Sequence, residues 1–452
     1  MKKTVDNIII GFGKAGKTLA AYLGQRGEQT ILIEKSKKMY GGTCINVRCI
    51  PSKTLSLKAN RKKFNSADKQ EYYLKSVTEK KNLIALLNKA NYDKVAGVSN
   101  VEVIDGTASF VDEHTVLVES GDEKREFEAK RIFINTGSQS IVPKIEGLTL
   151  SERVITSDEL MDLEILPKKL TIIGGGFIGL EFAKTYTEYG SEVTVLDAAE
   201  KFMEREDDDV AEEVKKSLEN MGIRIIMNAK VQKVSEESDG TKIYYELDGQ
   251  THELEQDYIL VSIGRRANVS ALKLENAGVK LSERGSIEVN EFLQTNKEHI
   301  FAMGDVNGGP NFTYISFDDF RIVRNFLQGN HSYSTKNRKF IPTSVFLNPT
   351  LSKVGLGEKE AIKQGYDIHV MKMPVSMIPK AKVIGNQVGL YKAIVDKKTN
   401  KILGATLFAE ESHEVINIIA TAMACDADYT VLKNQIFTHP TMAEALNDLF
   451  SL

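Results

Sequence analysis

Two segments of the chain carry the same pattern, and this repetition constrains the fold more than any other feature. Each segment has an apolar strand, a G-x-G-x-x-G turn, a helix, a second strand and then an acidic residue about 20 residues after the turn. The first runs from Val5 to Glu34, and the second runs from Leu170 to Asp197. Two such units predict an α/β chain that binds two dinucleotides.

Each glycine of these turns has a physical task. The first allows a tight turn, the second lets the backbone approach a pyrophosphate, and the third lets the helix pack closely on the strand. The helix N-terminus offers N–H groups to the phosphates, and the final acid accepts ribose hydroxyls. The residues in these places are Gly11, Gly13, Gly16 and Glu34 in the first segment, and Gly174, Gly176, Gly179 and Asp197 in the second. A glycine-rich turn with a purely structural role would not need the flanking strands, the helix and the final acid. Because both segments have all of these parts, we predict two Rossmann-like domains.

Composition is that of an ordinary globular protein. Of 452 residues, 42% are hydrophobic and 27% are charged, and the net charge is −3. This balance predicts several domains and gives no reason to expect nucleic acid or a membrane as a partner. Lys14 and Lys17 interrupt the apolar start of the chain, so we reject a signal peptide and expect a cytoplasmic protein.

Cys44 and Cys49 lie in a polar, glycine-rich segment from Gly41 to Lys53. A close pair among only three cysteines indicates redox chemistry or a metal site. A zinc site usually needs further cysteines or histidines nearby. The nearest histidine in sequence is His114, so we predict no metal. If the segment opens a helix, its first turns favour the reactive thiolate. We therefore predict a redox-active pair rather than two core cysteines.

The segment from Gly41 to Lys53 resembles the signature G-G-T-C-x-N-x-x-C-x-P-S-K of class I pyridine nucleotide–disulfide oxidoreductases. That family includes glutathione reductase, dihydrolipoamide dehydrogenase and mercuric reductase. The resemblance covers essentially the whole chain, because loops at Thr136–Ser138 and Gly264–Asn268 and the segment Thr295–Asp305 also look like family motifs.

This resemblance implies the glutathione reductase fold. We expect an FAD-binding domain of residues 1–145 and 270–335, an NAD(P)-binding domain of residues 146–269, and an α+β dimerisation domain of residues 336–452. In the last domain, strand-like stretches occur at 342–347, 367–374 and 389–395, and helical stretches occur at 411–424 and 442–450. Residues 58–94 are rich in Lys and Glu and predict a solvated helical excursion.

The resemblance also implies catalytic roles. Thr438 to Glu444 matches the family motif H-P-T-x-x-E, in which the His is an acid/base and the Glu orients it. These are His439 and Glu444, and the family takes this His from the partner subunit of a homodimer. Lys53 and Glu181 match a pair beside the reactive nitrogen of the flavin. The family order places Cys49 towards the flavin and Cys44 towards the substrate.

Cofactor ligands carry over in the same way. For FAD they are Gly11, Gly13, Gly16, Glu34, Gly42, Thr43, Lys53, Thr136, Gly137, Gly304 and Asp305; for NAD(P) they are Gly174, Gly176, Phe177, Gly179, Asp197 and Gly264. Phe177 stands where many relatives have a Tyr that gates the nicotinamide pocket. The carboxylate of Asp197 favours NADH, although Lys201 and Arg205 leave NADPH open.

Several stretches, among them Phe312–Asp319 and Ser412–Asn417, resemble the RclA-type branch of the family. This branch implies electron flow from NAD(P)H through FAD and the cysteine pair to hypothiocyanous acid, which is reduced to thiocyanate in defence against reactive chlorine. Alternatives are a dihydrolipoamide dehydrogenase, a general disulfide reductase, a Cu(II) or Hg(II) reductase, and a flavin-bound redox sensor. The chain lacks the C-terminal cysteine pair of mercuric reductases, and we expect Cys425 to lie in a helix core. A redox sensor would not need His439 and Glu444 as a turnover base.

Overall fold

The computed structural model describes residues 2–61, 69–238 and 240–452. The chain divides into two compact units. Unit 1 comprises Met1–Val142, Thr156–Leu166 and Ile263–Asn337, and unit 2 comprises Pro143–Ile155, Pro167–Ser262 and Arg338–Leu452. Within the described ranges, no helix is both long and apolar enough to cross a membrane.

Unit 1 combines a mixed sheet with helices. Its strands are β1 (Lys3–Ile10), β2 (Thr30–Glu34), β3 (Val101–Asp105), β4 (Thr107–Phe110), β5 (Thr115–Ser120), β6 (Glu123–Ile134), β7 (Ser138–Ser140), β16 (Arg265–Ala267) and β17 (Ile300–Ala302). Its helices are α1 (Lys14–Gln25), α2 (Thr43–Asn46), α3 (Cys49–Asn60), α4 (Lys69–Ala96), α5 (Ser157–Leu160), α8 (Leu274–Ala277) and α9 (Thr313–Leu327).

The main sheet of unit 1 has the order β3-β2-β1-β6-β5-β4, and β17 also pairs with β6. Ile8, Ile9 and Ile10 of β1 are buried, as expected for a parallel strand covered on both faces. Ile10 pairs with Ile134 of β6, and Ile134 pairs with Ala302 of β17, all in parallel register. The three strands therefore end level, and the segments that follow them meet at one edge of the sheet.

Unit 2 contains the second dinucleotide segment and the C-terminal region. Its strands are β8 (Val154–Ile155), β9 (Lys169–Ile173), β10 (Glu192–Leu196), β11 (Arg224–Ile226), β12 (Lys230–Glu236), β13 (Thr241–Leu247), β14 (Gln250–Gln256), β15 (Tyr258–Val261), β18 (Thr343–Val345), β19 (Leu351–Gly355), β20 (Ile368–Pro374), β21 (Leu390–Asp396) and β22 (Ile402–Phe408). Its helices are α6 (Phe177–Tyr189), α7 (Asp208–Asn220), α10 (Glu358–Lys363), α11 (Pro379–Ile384), α12 (Ser412–Ala424), α13 (Thr430–Asn434) and α14 (Ala445–Leu449).

The parallel sheet of unit 2, with the order β11-β10-β9-β15-β8, repeats the design of unit 1. The first glycines of the two turns have nearly the same left-handed φ, +105° at Gly11 and +104° at Gly174. A Cβ on Gly16 would lie 2.4 Å from the carbonyl oxygen of Gly11, and a Cβ on Gly179 would lie 2.2 Å from that of Gly174. Both third glycines are therefore required for the close packing of helix on strand, as predicted.

An antiparallel sheet with the order β18-β19-β22-β21-β20 forms the C-terminal part of unit 2. Strands β18 and β20 and helices α12 and α14 lie in the predicted stretches, and β21 extends one residue beyond its stretch. Strands β19 and β22 were not predicted, because each contains a glycine that weakens the strand pattern. The two glycines, Gly355 and Gly404, face each other across these strands, and a Cβ on Gly355 would lie 2.2 Å from the oxygen of Leu403.

Two other expectations need comment. Helix α4 lies in the predicted helical excursion, but it is not merely solvated, because it buries Tyr73, Val77 and Lys80. Residues 62–68 of the excursion lie outside the described residues. The prediction that Cys425 lies in a core was wrong, because Cys425 caps the C-terminus of α12 and is exposed.

Candidate active site

The two cysteines lie at the start of neighbouring helices in unit 1. Cys44 is in the short helix α2, and Cys49 is the first residue of α3. Both are free thiols, and Cys49 is exposed whereas Cys44 is half-buried. The hydroxyl oxygen of Thr313, the first residue of α9, lies 3.7 Å from Sγ of Cys49. Two helix N-termini, which favour a negative charge, therefore meet at one sulfur.

The two thiols differ in acidity. A hydrogen bond from Cys44, the hydroxyl of Thr313 and the charges of Lys53 and Arg48 together lower the pKa of Cys49 to about 6. The same bond to Cys49, together with burial, raises the pKa of Cys44 above its usual range. The reduced pair therefore holds a proton on Cys44 and a thiolate on Cys49.

The segment before the cysteines is held by close contacts. Gly42 has φ +82°, and a Cβ on it would lie 2.7 Å from Cα of Gly13 in the first glycine turn. The amide of Asn46 donates to the carbonyl oxygens of Tyr40, at 2.9 Å, and Gly42, at 2.8 Å. Asn88 of α4 in turn donates to Oδ1 of Asn46 at 3.0 Å. Helix α4 thus fixes the loop that carries the redox pair.

Glu34 lies at the end of β2, beside the first glycine turn. Its carboxylate accepts the backbone N–H groups of Phe12, at 3.0 Å, and Ser36, at 3.2 Å. Burial raises the pKa of Glu34. Its position after the second strand matches that of the acid that binds ribose hydroxyls in dinucleotide-binding units.

Asn135 links two of the predicted flavin segments and was missed by the sequence reasoning. Its Oδ1 accepts the N–H of Gly16 at 2.9 Å, and its amide nitrogen donates to the oxygen of Met303 at 2.6 Å. An amide residue directly after an apolar strand and before Thr136-Gly137 is the sequence signal that would have indicated it.

Asp305 and its neighbours are held by further polar contacts. Asp305 follows β17, and its Oδ2 accepts hydrogen bonds from Arg48 at 2.9 Å and Ser138 at 2.7 Å. The N–H of Gly304 donates to Asp319 Oδ2 at 2.6 Å. Asp319 is fully buried in α9 and was also missed, because an acid in an amphipathic helix carries no signal by itself.

The residues assigned to FAD fit that group. A Cβ on Gly137 would lie 3.8 Å from Oγ1 of Thr43, and Thr136 donates to the oxygen of Asn268 at 2.8 Å. The glycine turn, the loop at Thr136 and the Gly304–Asp305 segment follow the level ends of β1, β6 and β17. A dinucleotide requires a glycine turn and a helix N-terminus for its phosphates and an acid for its ribose. These segments supply all three at one carboxyl edge of the sheet.

The second turn, in unit 2, also fits a dinucleotide. Asp197 accepts the N–H of Gly175 at 2.6 Å and that of Ala199 at 2.8 Å. A Cβ on Gly176 would meet no atom within 4 Å, so that glycine faces open space beside the turn. Phe177, the next residue, has 46% of its surface exposed.

Two residues predicted to serve the cofactors have other contacts. Oε1 of Glu181, in α6, accepts the N–H of Phe346 at 2.9 Å. Glu181 belongs to unit 2 and Lys53 to unit 1, and their pairing stays a prediction. Gly264, in unit 1, has φ +136°, and its carbonyl accepts the N–H of Ile141 at 3.0 Å.

His439 and Glu444 meet as the motif predicts. Nδ1 of His439 lies 2.8 Å from Oε2 of Glu444, and the N–H of Thr441 donates to Oε1 at 3.2 Å. The His439 side chain is 70% exposed, whereas that of Glu444 is only 20% exposed. Because a carboxylate only accepts, Nδ1 carries the hydrogen, which leaves Nε2 as the nitrogen that takes up a proton.

The fold and the site define a class of enzyme. The chain belongs to the pyridine nucleotide-disulphide oxidoreductase family, which it matches over residues 5–319, and the dimerisation domain of that family matches residues 341–450. It is a flavoprotein disulfide oxidoreductase that depends on FAD and a pyridine nucleotide.

Particular relatives cover almost the whole chain. The Escherichia coli (strain K12) protein named "Probable pyridine nucleotide-disulfide oxidoreductase RclA" is 44% identical over 98% of both chains. A mercuric reductase of Staphylococcus aureus is 32% identical over 98% of this chain and 81% of its own. The solved structure named "Cu(II) complex of HOCl-induced flavoprotein disulfide reductase RclA from Escherichia coli" superimposes with a TM-score of 0.94 at 44% identity, covering 100% of this chain and 99% of that one.

The described residues of this chain bring together no group of three or more His, Cys, Asp or Glu side chains able to hold a metal ion.

Proposed function

We propose that the enzyme reduces hypothiocyanous acid to thiocyanate through the Cys44–Cys49 pair, as part of a cytoplasmic defence against reactive chlorine and related oxidants. The observation that supports this proposal most strongly is that the two thiols differ in pKa. Cys49 is held as a thiolate beside Thr313, and Cys44 keeps its proton. In such a pair, the thiolate of Cys49 can attack a Cys44 that has reacted with the substrate and displace the leaving group from it.

Bound FAD supplies the electrons from the nicotinamide that reduce the Cys44–Cys49 disulfide. Cys44 then needs a base, and we assign this role to His439 of the partner subunit, oriented by a Glu444 contact like the one in this chain. The Cys44 thiolate attacks the sulfur of hypothiocyanous acid. An S–S bond forms and the S–O bond breaks. The departing oxygen takes the proton that His439 removed from Cys44 and leaves as water, so that the sulfur of Cys44 carries an SCN group.

The thiolate of Cys49 completes the cycle. It attacks the sulfur of Cys44, restores the disulfide and releases thiocyanate. Over the cycle, hypothiocyanous acid and NADH give thiocyanate, water and NAD⁺, so two electrons and all atoms balance. Lys53 and Glu181 are proposed to act beside the flavin, and Phe177 is proposed to cover the nicotinamide pocket.

Aromatic side chains flank Thr313, whose hydroxyl lies beside Cys49. The rings of Phe312 and Tyr314 stack at 5.0 Å with an interplanar angle of 8°, one on each side of Thr313 in sequence. Burial, and after it the charge of Cys49, raises the pKa of Tyr314. The RclA relative carries the description "HOCl-induced", which agrees with a role against reactive chlorine.

The cofactor and subunit assignments rest on separate observations. Both oxygens of Asp197 are held by backbone N–H groups, so its charge is fixed where a 2′-phosphate would lie; this favours NADH over NADPH. The dimerisation domain supports a homodimer with shared sites. We also propose that the chain has three domains, with boundaries near residues 145, 269 and 335.

The test is a substrate panel under steady NADH supply. We expect hypothiocyanous acid to turn over much faster than glutathione disulfide, lipoamide, Cu(II) or Hg(II). Cys44→Ser and Cys49→Ser should abolish this turnover, whereas Cys425→Ser should not change it. Faster turnover of a bulky disulfide or a metal ion would overturn the substrate assignment.

A further inference from the structure

Arg48 lies between the two redox cysteines in sequence and directly precedes α3. The family signature leaves this position variable. The side chain is only 19% exposed, and its Nη1 lies 2.9 Å from Oδ2 of Asp305, whose side chain is 14% exposed. A charge-assisted bond between two largely buried groups is stronger and better fixed than a surface ion pair.

The Arg48–Asp305 bond is one end of a longer chain of contacts in unit 1. Oγ of Ser138 donates to the same Oδ2 at 2.7 Å. Arg265 donates through Nε to Oγ of Ser138 at 3.0 Å and through Nη2 to the oxygen of Ser138 at 2.6 Å. Asp158 interacts electrostatically with both arginines. The redox segment is thus joined to three segments that sequence reasoning assigned to the cofactors.

We propose that Arg48 is a positioning residue that fixes the Cys44–Cys49 segment to Asp305, so that one side chain sets both the charge state of Cys49 and the hold on the flavin. The inference rests on the proposed assignments of Asp305 and Cys49 to the flavin. It does not depend on which oxidant the enzyme reduces.

The electrostatics follow from the position of the guanidinium. The positive charges of Lys53 and Arg48 both favour the thiolate and lower the pKa of Cys49. The negative charge of Asp305 offsets the positive charge of Arg48 and so weakens its effect on the pKa of Cys49. Removing Arg48 should therefore raise the pKa of Cys49, and removing the charge of Asp305 should lower it. A purely structural loosening of the loop would move both variants in the same direction.

The experiment uses the reduced holoenzyme. The thiolate of Cys49 is titrated by the pH dependence of alkylation with iodoacetamide, and the labelled cysteine is identified by peptide mass spectrometry. Release of FAD on dilution is followed by flavin fluorescence. Arg48→Gln and Arg48→Lys are compared with Asp305→Asn. Arg125→Gln is the matched control, because Arg125 pairs with Glu102 at 3.1 Å but on the exposed surface of unit 1.

In Arg48→Gln we expect the alkylation midpoint of Cys49 to rise by about one pH unit and FAD to be released roughly tenfold faster. Arg48→Lys should restore the midpoint because it keeps the charge. Asp305→Asn should lower the midpoint, and it keeps the test decisive if Arg48→Gln does not fold. Arg125→Gln should match the parent. The proposal is overturned if Arg48→Gln leaves either readout at the level of Arg125→Gln, or if Asp305→Asn raises the midpoint.

Failure of this proposal and failure of the proposed function are distinguishable. The titration and the flavin release are measured without any oxidant, and the substrate panel is measured without any change at Arg48.

Discussion

Sγ of Cys49 lies 3.7 Å from Oγ1 of Thr313, and each of these residues is the first of its helix. The sulfur therefore receives the positive ends of α3 and α9 together with a hydroxyl. These groups act beside the bond from Cys44 to hold Cys49 as a thiolate.

Thr313→Val should raise the pKa of Cys49 above about 6 by roughly one unit, because the hydroxyl that stabilises the thiolate is lost. Alkylation of the reduced enzyme by iodoacetamide at a series of pH values measures this midpoint. Thr313→Ser keeps the hydroxyl and should behave like the parent. Equal midpoints in Thr313→Val and Thr313→Ser would show that the hydroxyl plays no part.

His439→Gln should lower kcat by roughly 10²–10⁴-fold, because burial and the bond to Cys49 raise the pKa of Cys44 and the variant lacks the base proposed for it. Glu444→Gln should cause a smaller loss, because the ring keeps a hydrogen-bond partner but a less stabilising one. Reduction of the enzyme-bound flavin by NADH, measured by stopped flow, should be unchanged in both variants. A defect confined to that first step would contradict the role assigned to His439.

Gly176→Ala and Gly179→Ala form a matched pair. The new methyl of Gly176→Ala meets no atom of the described chain within 4 Å, so the variant should fold normally but bind NADH poorly. That of Gly179→Ala lies 2.2 Å from a carbonyl oxygen and should cost about 1–3 kcal/mol of stability. Thermal unfolding and NADH titration separate the two effects. Unchanged NADH affinity in Gly176→Ala would place the pyrophosphate elsewhere.

Asp197→Asn should narrow the preference for NADH over NADPH by roughly tenfold, because the repulsion of a 2′-phosphate is removed. The amide keeps one oxygen, which can accept one of the two backbone N–H groups that now bind the carboxylate, whereas its NH₂ group faces the other. The measurement is kcat/KM for both nucleotides in both proteins. An unchanged ratio would assign nucleotide choice to other residues, such as Lys201 or Arg205.

Much of the fold could be predicted because the residues that determine each element lie close together in the sequence. The two glycine turns have the predicted strand, helix and third-glycine packing, since each element is encoded within about 30 residues. Strands β19 and β22 escaped prediction because their glycines are explained only by the facing strand. Cys425 looked apolar in its helix, but its exposure depends on which face the helix buries.

The site divides in the same way. Cys44, Cys49, His439 and Glu444 lie in contiguous motifs and were predicted from sequence. The positive charge of Arg48 beside the cysteines is visible in the sequence, but its partner Asp305 lies 257 residues away. The contacts of Asn135, Asp319 and Thr313 span 119, 15 and 264 residues. Which partners these side chains contact depends on the folded topology, so a single sequence does not give the contacts.

The central claim is that Cys44 attacks the oxidant and Cys49 resolves the product. The direct test is mass spectrometry of the reduced Cys49→Ser, Cys425→Ser double variant after one equivalent of hypothiocyanous acid. Without its resolving thiol, the enzyme should carry an S–SCN group on Cys44, and the matching Cys44→Ser, Cys425→Ser variant should carry none on Cys49. A modified Cys49 with an unreactive Cys44 would contradict the account, because it would make the low-pKa thiolate the attacking group.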